Sequence, residues 1–380
     1  MNTEASKEVR FACISDIHLG SKRNKTSFII ANLNKYFVTD EVLSSIDVLF
    51  IAGDVFDELL NTSSEELGLI DLWIGRLLRK CHRYHVMVFV LEGTPSHDRG
   101  QSCRFVTINE LNNKSGSRGV QLKYIKDLHI EYIEKFDIHV LFVPDEQSNS
   151  PADTLDQVRA LMRKMGLSQV DMAIMHGQFP HQLPGGISHV QFHDPDAYCE
   201  LVRGVILPGH IHTPSVYRNI YGQGSFDRLG HNEEEAKGFL KGVQNKDSYH
   251  LTFVENKGAR IYKTIACTAD STAENLLIID AAIQGCPIES NLRVEANTGN
   301  PILSNLPLIR ERWPGFIWSS VERGKEKKRL TQLIDHKTIY VPISLDRQNL
   351  PSVMNARLQE KGYEPTVIDR CIQQLATVMG

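Results

Sequence analysis

The stretch Phe11-Ala12-Cys13-Ile14-Ser15-Asp16-Ile17-His18 decides how this chain is read. Its apolar start is too short for a lone helix and suits a strand buried on both faces. The run then meets a carboxylate. On extended backbone, residues two apart point to the same side, so Asp16 and His18 converge on one point. The same plan recurs down the chain. Val48–Ala52 leads into Gly53-Asp54, Val86–Leu91 into Gly93-Thr94-Pro95-Ser96-His97-Asp98, Met172–Met175 into His176-Gly177, and Val205–Leu207 into Gly209-His210-Ile211-His212; His139–Val143 is a further apolar run. Ligands of α/β sheets gather beyond the carboxyl ends of the strands, so these groups are expected to meet in one crevice.

Between the strands lie amphipathic stretches. Glu65–Arg83 carries Leu69, Leu72, Trp73, Leu77 and Leu78 at helical spacing, and Ala152–Met165 carries Leu155, Val158, Leu161 and Met162. Strands alternating with helices argue an α/β layered fold. From about 222 to 268 the pattern changes to strands joined by turns. There Asn256-Lys257-Gly258, between His250–Val254 and Arg260–Ile265, reads as a hairpin of a second sheet packed on the first. A further alternating unit from Leu276 to Ile343 reads as a small separate domain. Pro351 and Pro365 suit the first turns of two short helices, and Val367, Ile368, Cys371, Ile372, Leu375, Val378 and Met379 form an apolar stripe on the last. The expected division is 1–268, 269–345 and a helical tail at 346–380.

Composition is that of an ordinary globular protein: 380 residues, 41% hydrophobic and 23% charged, which excludes a disordered or collagen-like chain. With 42 Lys+Arg against 46 Asp+Glu the formal charge is -4, so nucleic acid would have to be met by a local basic patch or by metal ions. Lacking a run of roughly 20 apolar residues or a signal-peptide core, the chain reads as soluble and cytoplasmic, with no membrane contact. Seven scattered cysteines without a CxxC pair indicate reduced thiols. The six strongest donors at the strand ends are two Asp and four His. That mixed oxygen and nitrogen set is too large for one ion and well matched to two, such as manganese, iron or zinc. Two ions roughly 3.5–4 Å apart can bind the attacking and the leaving oxygen of a phosphoryl group, which points to phosphoester hydrolysis.

Asp16-x-His18, Gly53-Asp54, Ser96-His97-Asp98, His176 and Gly209-His210-x-His212 together resemble the five motifs of the calcineurin-like metallophosphoesterases, across about 11–213. More narrowly, Gly53-Asp54-Val55-Phe56-Asp57, Val143-Pro144-Asp145-Glu146 and Gly224-Ser225-Phe226-Asp227 followed by Lys237-Gly238-Phe239 resemble the nuclease subunit of the MR repair complex, the bacterial SbcD type; Gly93–Asp98 is similar to variants in phage-encoded members. The resemblance implies a two-sheet α/β sandwich with a smaller α+β capping domain and a C-terminal helical tail. It implies that Asp16, His18, Asp54 and His212 hold one metal and that Asp54, His176 and His210 hold the other, with Asp54 shared. His97 would stabilise the phosphate or protonate the leaving oxygen, and Asp57 would orient His97. It further implies a manganese-dependent DNA nuclease, exonucleolytic on duplex ends and endonucleolytic on single strands or hairpins. Such an enzyme is a homodimer whose tail docks on an ABC-type coiled-coil ATPase.

One departure concerns Gly-Asn-His-Asp, the family's third motif. The Asn that supplies an amide oxygen to the second metal is missing; Ser96 stands there when the chain is aligned on His97, and Thr94 when it is aligned on Gly93. A backbone carbonyl is the third option. Lys22, Arg23 and Lys25 set positive charge beside the proposed metals, where a phosphate backbone would pass, or simply form a solvated loop. Arg323, Lys325, Lys327, Lys328 and Arg329 could track DNA but read rather as a solvated face, His181, His189 and His193 as structural or substrate-lining, and Trp313, Phe316 and Trp318 as a base-stacking set or, more commonly beside Pro, a small core. Two other readings compete with the nuclease: a small-molecule or protein phosphatase on the same fold, and a scaffold weakened by the altered third motif.

Overall fold

A computed structural model of the chain describes residues 7–114, 119–183, 191–323, 354–355, 358–359 and 367–373. Its strands are β1 (Val9–Ile14), β2 (Val48–Ala52), β3 (Met87–Leu91), β4 (Leu122–Ile125), β5 (His129–Ile133), β6 (Ile138–Val143), β7 (Met172–His176), β8 (Ile206–Gly209), β9 (Ser215–Tyr217), β10 (Ile220–Gly222), β11 (Gly238–Gln244), β12 (Tyr249–Glu255), β13 (Tyr262–Ala266), β14 (Asn291–Ala296) and β15 (Ile317–Glu322). Two six-stranded sheets, ordered β12-β11-β1-β2-β3-β4 and β5-β6-β7-β8-β10-β9, form the body, and β13-β14-β15 form a small parallel third sheet. This is the two-sheet α/β sandwich with a smaller added module expected from the sequence.

The apolar runs are continuous because both faces of each central strand are covered. Phe11, Cys13, Phe50, Phe89, Val140, Phe142 and Ile174 point into the layer between the two sheets. The alternate residues Ala12, Ile14, Leu49, Ile51, Val88 and Val90 pack outward against the helices of the first sheet, with Trp73, Ile74 and Leu77 of helix Glu65–Arg83. On the far side Leu141, Val143, Ala173 and Met175 meet Leu155, Val158 and Met162 of helix Pro151–Lys164. Ser64 and Ser150 cap these two helices, their side chains accepting from Leu67 N and Asp153 N. Trp73 is therefore core, whereas Leu69 and Leu72 on the same helix are exposed.

Two expectations are corrected, and the expected crevice is built from both sheets: β1, β2 and β3 belong to the first and β7 and β8 to the second, and their ends meet because the sheets stack with these strands abutting. The strands after 222 do not found a second sheet; β11 pairs antiparallel with β1, and β12 with β11. Nor do β12 and β13 form a hairpin, since β13 pairs in parallel with β14. The turn at Asn256 is real, with Ala259 N donating to Asn256 O at 3.0 Å. Its residues are held elsewhere: Asn256 Nδ2 donates to Phe226 O and Asn32 Nδ2 to Gly258 O, so the chain is steered off toward the third sheet. The hairpin is the earlier one, β11–β12, closed by Asn245, whose side chain accepts from Asp247 N and Ser248 N.

The third sheet and its helices Thr272–Ala282, Pro301–Ser304 and Leu306–Arg312 enclose their own core of Ile265, Ile279, Leu292, Val294, Ile309 and Trp318. Trp313 and Phe316 pack against Trp318, as a small core requires. Arg323 lies 3.7 Å from Glu295. The chain divides into two compact units, 1–326 and 327–380; in the second, 367–373 is helical, with Ile368 buried and Val367 exposed. His189, Lys325, Lys327, Lys328, Arg329, Pro351, Pro365, Leu375, Val378 and Met379 lie outside the described residues. All seven cysteines are unpaired, and among the described residues no helix is long and apolar enough to cross a membrane.

Candidate metal centre

Left-handed backbone marks the centre. Asp16, His18, Asp54 and His210 have φ of 50°, 52°, 49° and 92°, a region non-glycine residues visit rarely and at a cost of about 1–3 kcal/mol each. The sharp bends at the strand ends turn these side chains back over the sheet edges. They are held by neighbouring strand ends: His18 N donates to Asp54 O at 3.1 Å, and His210 N to both carboxylate oxygens of Asp16 at 3.0 and 3.1 Å. Gly53, Gly93 and Gly209 let the ends approach. A Cβ on Gly93 would stand 2.1 Å from Asp54 N, and one on Gly209 2.4 Å from Ala52 O.

Among the described residues three donor groups result: Asp16 with His18 and His212, Asp54 with His176 and His210, and His18 with Asp54 and His97; within each group the donor atoms lie within 4.8 Å of one another. His18 Nε2 and His212 Nε2 are 3.0 Å apart, each with Asp16 Oδ1 at 4.0 or 3.8 Å. His176 Nε2 is 3.2 Å from Asp54 Oδ1, while Asp54 Oδ2 is 3.8 Å from His18 Nε2 and 2.8 Å from His97 Nδ1. Nitrogens and oxygens bound to a shared ion at about 2.0–2.2 Å stand about 3–3.5 Å apart, so the donor set fits divalent cations with little adjustment. Electrostatics agree with the fit. Burial pushes the Asp54 carboxyl up, but His176, His97 and His18 outweigh it and hold it well below the carboxylate range. Burial pulls His176 down, and Asp54 and Asp16 more than restore it, well above an ordinary imidazole.

Three of the four inner histidines have a polar neighbour at their other nitrogen. His176 Nδ1 is 2.7 Å from Ala52 O, His212 Nδ1 3.0 Å from Glu233 Oε1, and His18 Nδ1 3.0 Å from Asp57 Oδ1. Asp57 thus serves His18, not His97 as expected: the turn after β2 runs parallel to the one after β1, with Asp57 N donating to Leu19 O. His97 leans on Asp54 itself, and its ring is 36% exposed. Asp98, fully buried, accepts from Phe56 N and Gly93 N and so ties the third motif to the second.

Ser96 does not reach the cluster. It is exposed, and its carbonyl accepts from Arg99 Nε. Thr94 occupies the place instead: its hydroxyl lies 3.2 Å from Asp54 Oδ2, 3.3 Å from His176 Nε2 and 3.2 Å from His210 Nδ1, and its N–H donates to Asp54 Oδ1 at 2.6 Å. Pro95 and Ser96 bulge outward before His97 returns. Thr94→Val is expected to weaken cation uptake roughly 10- to 100-fold, while Ser96→Ala stays within about twofold of wild type, as read by manganese titration of the two variants; equal effects would refute the placement.

Glu233 and Asp145 escaped the sequence reading of the centre. Asp145 Oδ2 lies 3.6 Å from His210 Nδ1, and the signal was present in Val143-Pro144-Asp145-Glu146 at the end of β6. Glu233 lies in a charged loop with no local mark of function. His212 holds its carboxyl down to about 2 against the upward push of burial. Lys22, Arg23 and Lys25 follow Asp16 and His18 in the loop after β1; Lys22 Nζ pairs with Glu58 at 2.8 Å, and Lys25 precedes helix Thr26–Asn32.

His181 and His193 belong to none of the donor groups, although His193 stands close enough to Asp145 and His210 to feel their charges. His181 stacks on Tyr217, and His193 packs against Phe179 and Tyr198, its Nδ1 buried without a partner. Burial lowers His193 to about 4. The unfolded chain protonates first, near 6.5, so this contribution to stability is complete above that pH and is lost as pH falls from there through about 4. The loss is on the order of 3 kcal/mol. Urea titrations at pH 7 and 4.5 are expected to show a smaller pH dependence in His193→Phe than in wild type.

No protein-family model matches the chain, and neither does any curated protein. Two solved structures match 66% of it and all of their own length: a crystal structure at TM-score 0.36 and 9% identity, and TT1561 of Thermus thermophilus at TM-score 0.34 and 7% identity. Likenesses of that size leave the functional reading to the geometry of the site itself.

Proposed function

We propose that this protein is a metal-dependent phosphoesterase whose substrate is DNA: a two-metal nuclease, manganese-dependent, that trims duplex ends and opens single strands or hairpins. The observation that carries the hydrolytic reading is the sharing of Asp54 among donor groups drawn from five strand ends, three in one sheet and two in the other. The DNA reading, like the homodimer and the ABC-type coiled-coil ATPase docked on the tail at 346–380, draws on the SbcD-type motifs of the sequence.

Asp16, His18 and His212, with Asp54, would hold one ion, and Asp54, His176 and His210 the other, with the Thr94 hydroxyl where the family has an amide. Bound there, two divalent ions supply Lewis-acid polarisation of the phosphoryl group and acidify water. The protein's own part is to aim the ligands and move protons. His97, fixed through Nδ1 to Asp54, keeps Nε2 for the substrate side and is suited to protonate the leaving oxygen. Asp57 and Glu233 hold His18 and His212 in register. Lys22, Arg23 and Lys25 would meet the phosphate backbone; Lys22 shares its charge with Glu58, so Arg23 and Lys25 are the stronger contacts.

The test is manganese titration of the full chain against labelled duplex, a DNA hairpin and a generic phosphodiester, with His97→Ala beside wild type. Cleavage of duplex ends that falls roughly 10²-fold or more in His97→Ala is expected. Turnover of the generic ester alone would shift the reading to a phosphatase, and inactivity even with an ATPase partner would shift it to a scaffold.

A further inference from the structure

We propose that the loop 228–237 is a positioning arm by which the third-sheet module holds His212, with Glu233 as its contact, so that the seating of this module sets the cation affinity of the Asp16–His18–His212 group and leaves the Asp54–His176–His210 group unaffected. The inference rests on the metal-binding reading above and concerns which residues govern each half of the centre.

The inner end of the arm is a closed knot. Glu233 Oε1 is 3.0 Å from His212 Nδ1, while Oε2 accepts from Leu229 N at 3.1 Å and lies 3.4 Å from Lys237 Nζ. Lys237, whose side chain is fully buried, donates in turn to His212 O at 2.8 Å. Ring and backbone of His212 are thus gripped together. With Nδ1 committed to Glu233, Nε2 is the nitrogen left facing His18 Nε2 and Asp16.

The outer end of the arm is fastened to the module and to the segment leading into it. Arg228 Nη1 donates to Ala259 O and Arg260 O, both at 3.3 Å, and Nη2 to Glu235 O at 2.8 Å. Glu234 Oε1 accepts from Thr264 N of β13 at 2.9 Å, and Asn232 Oδ1 from Arg293 Nη2 of β14 at 3.1 Å. His231 stands edge-on to the Tyr262 ring at 5.2 Å. The other donor group is aimed from within the two-sheet body. His176 is held by Ala52 O at the end of β2, and His210 faces Thr94 and Asp145.

The experiment is calorimetric titration of the full chain with manganese alone, on wild type, Glu233→Ala and Arg228→Gln, with 15N spectra of the histidine rings. Wild type is expected to take up two ions. Either variant is expected to lose roughly 10- to 100-fold affinity at one site and to keep the other within about twofold; the His212 ring is expected to lose its single tautomer in Glu233→Ala. Glu234→Ala, altering an exposed side chain, covers the case in which Arg228→Gln fails to fold, and should give a loss of the same sign. Two unchanged sites, or two equally weakened sites in a folded variant, would overturn the inference. A wild-type chain that takes up no cation would overturn the metal reading itself, which is a separate outcome.

Discussion

An Asp54→Asn variant is expected to lose manganese-stimulated phosphodiester hydrolysis by at least about 10³-fold, more than the roughly 10²–10³-fold that one transition-state donor contributes. Asp54, like His18, belongs to two of the three donor groups, and its two oxygens face different histidines: His176 on Oδ1, His97 and His18 on Oδ2. The amide keeps the size but offers one neutral oxygen and two hydrogens, which must point at ring nitrogens or at Thr94. Both halves of the centre should therefore weaken together. This separates Asp54→Asn from Glu233→Ala, in which one half is expected to survive. The fold should tolerate the change, because the amide keeps the size of the carboxylate and the Asp54 carbonyl still accepts from Ile17 N and His18 N. Steady-state cleavage with manganese held in excess, alongside a direct titration of the ion, checks both statements; an Asn variant that keeps two tight sites would contradict the central role of this carboxylate.

Gly53→Ala should be the most damaging small substitution for stability. Gly53 has φ of +85°, where an L residue pays about 1–2 kcal/mol. Its added Cβ would also lie 2.2 Å from His176 Nδ1 and 2.7 Å from Gly93 Cα. Neither neighbour can yield cheaply: His176 is fully buried and bonded to Ala52 O, and the second contact is backbone. Overpacking of this kind adds about 1–3 kcal/mol, giving a loss of about 2–5 kcal/mol in all. The urea midpoint should fall with its slope unchanged, since the surface exposed on unfolding is the same. Gly166, also at positive φ but with open space around its Cβ position, provides the contrast: Gly166→Ala should show the conformational cost without the steric one.

The amino-acid sequence by itself determined the buried strands, because continuous Val, Ile and Phe runs have to be covered on both faces, and it determined helix Glu65–Arg83, because its apolar stripe and Ser64 cap are local properties. It also determined which donors stand at strand ends, since Asp16, His18, Asp54, His176, His210 and His212 follow directly on those runs. Tertiary structure alone decided the rest. Turn chemistry at Asn256-Lys257-Gly258 is local, but which strand pairs with which depends on Asn32 and Phe226, far away in the chain. Choosing Thr94 over Ser96 required knowing which hydroxyl faces three donors from β2, β7 and β8. The partner of Asp57 and the grip of Glu233 on His212 likewise join segments whose spacing carries no periodic signal. Contacts between distant segments are specified by packing, and packing is a property of the folded whole.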